Sequence, residues 1–190
     1  MKKLSIGTLF LVFLSAAGVC FAQEGESALV KGVGLYEKGE YQQAVSVLQK
    51  VVETDEQDKK AWLYLGMSEA KLKNRSNAVK AFKKAFKISK EGAGAEETSA
   101  AGQTKTKIIS KPRAQYPQAA RDNLTQGEIR LAVEFGADGK IKEVFAFQTL
   151  PDGLTEICVE AARKIKFQPG TKDGKPYSTI AIVTYDFRIY

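Results

Sequence analysis

Residues 128–149 read EIRLAVEFGADGKIKEVFAFQT, and the fold of the C-terminal half turns on them. Ile129, Leu131, Val133 and Phe135 alternate with Glu128, Arg130, Ala132 and Glu134. Alternation puts the first set on one face and the second on the other, the pattern of a half-buried strand. Ala137-Asp138-Gly139-Lys140 interrupts it. Asp-Gly tolerates the positive φ of a tight hairpin turn. Ile141 to Thr149 returns as a second strand, with Ile141, Glu143, Phe145 and Phe147 expected on one face and Val144 and Ala146 on the other.

Downstream, Leu154 to Lys166 carries Leu154, Ile157, Cys158, Ala161 and Ile165 on one helical stripe. Asp152 is the expected cap, and Cys158 reads as a small core residue. The closing run, Tyr177 to Tyr190, sets Ala181, Val183, Tyr185, Phe187 and Ile189 against Ile180 and Ile182. Its fourteen residues are long for a strand. A long strand ending a small sheet is a candidate free edge, whose N–H and C=O groups pair with another chain. A proline at Val183 is then expected to remove a ladder donor.

Upstream, Pro112 and Pro117 hold an extended segment, and Pro117 suits the first turn of a short helix through Ala119, Ala120 and Arg121. Residues 25–90 repeat with a period of 34: Gly32 with Gly66, Ala44 with Ala78, Leu48 with Phe82, Val51 with Ala85, Ala28 with Trp62. Small residues let the first helix of each hairpin approach the second, and large ones fill the groove between hairpins. Gly39 and Asn74-Arg75-Ser76 mark the turns, with Asp58 and Ser76 as expected N-caps. Two repeats are fewer than the three or so a free-standing array needs. A second copy of the chain, the C-terminal domain or a partner must cover the ends. Residues 91–107 are rich in Gly, Ala, Ser and Thr, without large apolar residues, and read as a flexible linker.

The formal net charge of +7 is uneven. Residues 23–58 hold eight acids and three bases, whereas residues 59–90 hold ten bases and one acid. The basic helix 76–90 reads as a solvated face or a membrane contact, and residues 1–22 are the other candidate for touching a membrane. The aromatics of this helix, Phe82 and Phe86, belong to its apolar stripe and not to its basic face, and export separates the chain from nucleic acid, so nucleic acid is not an expected partner. The chain has no histidine, which removes the usual general base and the commonest metal ligand. No Cys–His cluster exists for zinc, and no nucleophile has a base at hand, so no catalytic, cofactor or metal residue is expected. Lys2 and Lys3 precede an uncharged run to Ala22. That reads as a signal peptide cut before Gln23, as a retained inner-membrane anchor, or as a lipoprotein leader ending at Cys20, where Val19 is larger than a lipobox wants.

The repeat positions resemble the tetratricopeptide consensus. By that resemblance Leu29, Val33, Tyr36, Lys60, Leu63, Met67 and Lys71 line a peptide groove, or merely pack. Over about residues 110–190, Tyr116-Pro117 with Arg121, Gly127, Asp138-Gly139, Phe167 with Pro169-Gly170, and Asp173-Gly174-Lys175-Pro176 follow in an order that resembles the C-terminal domain of the TonB energy-transducer family. The resemblances imply an α+β protein: residues 1–22 a leader or anchor, 25–90 all-α hairpins, 91–107 a linker, and 108–190 a domain with helices on one face of a small antiparallel sheet. In that family a short segment of an outer-membrane transporter adds beside the sheet. Carried over, the binding edge is Thr179, Ile180, Ala181, Ile182, Val183, Thr184, Tyr185 and Asp186. Each motif glycine and proline also reads as a turn former, and Phe167 as core.

The expected function is that of an exported, periplasmic TonB-family protein that binds outer-membrane transporters or other envelope proteins by strand addition, in energy-dependent transport. The alternative is a periplasmic scaffold with no energy transduction. Full transducers carry a membrane anchor with a histidine and a long proline-rich spacer. This chain has neither the histidine nor prolines in its linker.

Overall fold

The computed structural model describes residues 28–91 and 102–189. The expected leader, residues 1–22, and most of the expected linker lie outside the described residues. Among the described residues no helix is long and apolar enough to cross a membrane.

The first half is two helical hairpins: α1 (28–37) with α2 (Tyr41–Thr54), and α3 (Lys59–Lys71) with α4 (Arg75–Glu91). The repeat has a steric cause. A Cβ on Gly32 would lie 2.7 Å from Leu48, and one on Gly66 would lie 2.8 Å from Phe82. Only glycine lets each helix pair come this close. Gly39 takes φ +81° in the first turn. Asp58 caps α3 by accepting from the Ala61 N–H at 2.9 Å. The expected cap at Ser76 is displaced by two residues. The Asn74 carbonyl already accepts from Ala78, so Ser76 lies within the first turn of α4.

The second half is α+β. After β1 (Lys107–Ser110) and the short α5 (Gln118–Asp122) come β2 (Gly127–Phe135), β3 (Ile141–Gln148) and α6 (Leu154–Arg163). Three short strands follow, β4 (Lys166–Gln168), β5 (Gly170–Lys172) and β6 (Lys175–Tyr177), before β7 (Thr179–Phe187). The main sheet is antiparallel in the order β3-β2-β7. Ile129, Leu131, Val133 and Phe135 face α6, packing on Leu154, Cys158, Ala161 and Ala162. The residue capping α6 is Gly153 at φ +78°, not Asp152. The Asp152 carboxylate instead accepts from Asn123 and Thr125, closing the loop between α5 and β2.

Two features of the sheet differ from the alternation in the sequence. The register slips between Glu134 and Phe135, which oppose Glu143 and Ile141 respectively. That bulge turns Ile141 to the α6 side with Val144 and Ala146, while Phe145 and Phe147 face away. The second face is also not solvated. Ala132, Phe147 and Ile180 are buried in one cluster with Phe82, Leu63 and Tyr64 of the hairpins. The C-terminal sheet thus covers the repeats, and the repeats cover the sheet.

Part of the expected linker is tied down. The Thr104 N–H donates to the Thr171 carbonyl at 2.7 Å, Gln103 bridges to Lys172, and β1 pairs with β4. Gly170 permits the approach, since a Cβ there would lie 2.6 Å from the Thr104 carbonyl oxygen.

Candidate functional site: a groove at the free sheet edge

Strand β7 ends the main sheet, with β2 on one side and no further strand on the other among the described residues. In an antiparallel ladder alternate residues exchange both bonds with the neighbour, and the intervening ones turn both groups outward. Three side-chain bonds set the parity. Gln148 donates to the Glu128 carbonyl at 2.9 Å, so even-numbered residues of β2 face β3. Their odd-numbered neighbours therefore bond to odd-numbered residues of β7. Consistently, the Thr184 carbonyl accepts from Lys111 Nζ at 3.1 Å and the Ser178 carbonyl from Tyr64 Oη at 3.2 Å. Ile180 and Ile182, between these two, turn N–H and C=O outward.

This edge opens into a groove of about 530 Å³. Its floor is Thr179, Ile180, Ala181, Ile182 and Thr184 of β7. Its wall is helical: Lys59, Lys60, Leu63 and Tyr64 of α3, and Phe86 and Ser89 of α4. Gln103, Lys105, Thr106 and Tyr177 close one end, where Thr106 and Thr179 share a hydroxyl bond of 2.9 Å.

The structure brings part of the expected repeat groove to the expected edge. Lys60 and Leu63, from the expected repeat groove, line the same space as the expected edge residues. Others are taken by the protein itself. Tyr36 donates to Glu134 at 2.7 Å, and Lys71 pairs with Glu143 at 3.0 Å. Met67 is fully buried, and Leu29 and Val33 pack against the core. At the edge, Val183 and Tyr185 point into the α6 core, while Asp186 is exposed and pairs with Arg188. The wall residues Phe86 and Ser89 and the closing segment 103–106 escaped sequence reasoning, the latter because its composition reads as linker.

The motif residues of the C-terminal half are architectural. Tyr116 stacks on Phe187, donates to the Thr125 carbonyl and lies under Arg121, whose guanidinium is 5.3 Å from the ring centre. Phe167 meets Phe135 edge-on at 4.9 Å. Gly127 opens β2 at φ +137° against Leu150, and Gly139 takes φ +77° in the hairpin turn. Pro169 leads into Gly170, whose missing side chain admits residues 104–106. Cys158 is buried, and burial pushes its thiol up to about 12, which leaves it a packing residue without thiolate reactivity. Among the described residues no group of acids or cysteines could hold a metal ion.

A sheet edge left unpaired among the described residues and roofed by helical hairpins is the kind of surface on which strand-adding protein-interaction modules work. Known families match the same two regions. Residues 112–189 match the Gram-negative bacterial TonB protein C-terminal family, and residues 60–88 match a tetratricopeptide repeat. The chain therefore carries a TonB-type C-terminal domain preceded by a tetratricopeptide-type segment. No curated protein matches it.

Proposed function

We propose that this chain is an exported TonB-family protein that captures an extended segment of an outer-membrane transporter, or of another envelope protein, as a strand added to β7. The observation that carries this reading is the outward-facing backbone of Ile180 and Ile182 at the floor of an open groove. Backbone bonds supply affinity in such pairing, and side-chain pockets supply specificity. The family match supports work in energised transport. A second reading, an envelope adaptor without energy coupling, draws on the docked hairpins, which stand where a transducer carries a stiff spacer.

A photo-reactive amino acid in place of Thr179, in intact cells, tests the first reading. The expected product is a covalent adduct with a transporter segment, lost in an Ile182→Pro background. Adducts that persist with the proline, or none at all, would sink strand addition. Mass spectrometry of the mature N-terminus separates the two readings. A chain starting at Gln23 has no anchor and acts as an adaptor.

A further inference from the structure

The hairpins overhang the sheet. Along α4, Arg75 donates to the Ala146 carbonyl of β3 at 3.1 Å, and Phe82 meets Phe145 and Phe147 of β3 at 5.5 Å each. One turn on, Phe86 lies under Arg130 of β2, whose guanidinium is 3.7 Å from the ring centre. Ser89, the next turn, lines the groove beyond β7. The last turns of α4 and the first of α3 therefore stand over the slot that a fourth strand, about 4.8 Å from β7, would occupy.

We propose that the tetratricopeptide-type hairpin reads the sequence of the added strand, and that the strand it selects alternates apolar with acidic side chains. This rests on the strand-addition reading and names the partner's chemistry. Every second side chain of a strand beside β7 points to the helical wall. There Leu63 and Phe86 offer apolar contact, and Lys59, Lys60 and Lys105 bring three ammonium groups, with no acid among the described lining residues. Lys59 and Lys105 also hold contacts of their own, so Lys60, an exposed residue of the first turn of α3, carries most of the expected preference. The Thr184 carbonyl is held by Lys111, so the outward backbone of Ile180 and Ile182 sets the paired stretch at about three partner residues.

The test is selection of a displayed library of random seven-residue peptides on the full chain. A synthetic copy of the best binder is then measured by fluorescence anisotropy. The expected consensus has Asp or Glu at alternate positions with apolar residues around them. Lys60→Glu and Ser89→Glu, both at exposed helix positions, should each weaken that peptide about three- to fivefold, the scale of one partly screened ion pair, while Lys60→Arg retains it. A consensus without acids, no enrichment, or affinities unmoved by both glutamates overturns the inference. Two further peptides, methylated at one or the other set of alternate backbone nitrogens, test the underlying reading. Strand addition predicts that one set abolishes binding and the other is tolerated. If neither set matters, strand addition itself fails. If the methylation pattern holds while Lys60→Glu and Ser89→Glu are silent, only the helical readout falls.

Discussion

The two faces of the central sheet are built differently. Towards α6, Ile129, Leu131, Val133 and Phe135 are all 0–1% exposed and lie in one cluster with Leu154, Cys158, Phe167 and Tyr185. Towards the hairpins, an apolar centre of Ala132, Phe147 and Ile180 is ringed by polar contacts: Tyr36 with Glu134, Lys71 with Glu143, Arg75 with Ala146 and Tyr64 with Ser178. The first face is a domain core. The second has the anatomy of an interface, apolar inside and polar at the rim. The difference explains how two hairpins suffice here. Their uncovered side lies on a sheet where a longer array would have another repeat.

The comparison can be broken most directly by truncating one residue on each face. Leu131→Ala should cost about 2–5 kcal/mol in urea denaturation and unfold the C-terminal domain as a unit. Phe145→Ala, half-buried at the interface, should cost less, about 1–3 kcal/mol. It should raise amide exchange in α3 and α4 while β2 stays protected. Equal deprotection of β2 and α4 by Phe145→Ala would mean that the two faces are one core.

A second substitution sharpens the link between repeat and interface. Gly66→Ala drives a methyl into Phe82, whose ring also touches Phe145 and Phe147. The expected loss is about 1–3 kcal/mol. In Gly32→Ala the atoms nearest the new methyl belong to Leu48 and Val47 of α2, so its cost should depend less on Phe145. A double-mutant cycle of each glycine with Phe145→Ala reads the coupling.

The smallest effect concerns the polar rim. Tyr36→Phe should cost about 1–2 kcal/mol near neutral pH, because a buried bond to a carboxylate is lost. Burial, then the Glu134 charge, pushes the Tyr36 phenol well above its ordinary 10.0. The folded form therefore keeps a proton that the unfolded chain releases near that value. The stabilisation is full below about pH 10 and is lost as the pH rises beyond it. Burial raises Tyr64 in the same way, and pushes Tyr185 of the α6 face up to about 12. Thermal midpoints should fall above about pH 10, less steeply in Tyr36→Phe than in the parent. An identical slope in both would remove Tyr36 from the account.

Most of the elements were legible in the sequence because their signals are local. The alternation of β2, the Asp138-Gly139 turn, the stripe on α6 and the repeat of Gly32 and Gly66 each follow from residues near one another in the chain. The caps at Ser76 and Asp152 were misplaced by one or two residues, since a cap depends on where the preceding turn ends. The bulge at Ile141 has no signature in alternation, because the slip arises between two strands. The covered second face left a trace that alternation alone undervalues. Phe145, Phe147, Ile180 and Ile182 are too apolar for a solvated surface.

The candidate site divides the same way. The expected fourteen-residue closing strand folds as the shorter β7, Thr179–Phe187, with Tyr177 in β6, because pairing breaks at Ser178 and the ladder with β2 ends at Phe187. That the last strand is apolar on both sides is written in its residues. Which of its backbone groups face outward is not, because parity depends on pairing with β2 and on the bonds from Gln148, Lys111 and Tyr64. It follows that a proline at Val183 would break the ladder to β2, and that Ile182 is the position that tests the edge. The sequence by itself determined the modules, because helical and strand periodicity and close-packed glycines act over a few residues. Only the tertiary structure decided that Lys60 and Leu63 of the repeats and the outer edge of β7 line one groove, because that depends on long-range burial of two apolar faces against each other.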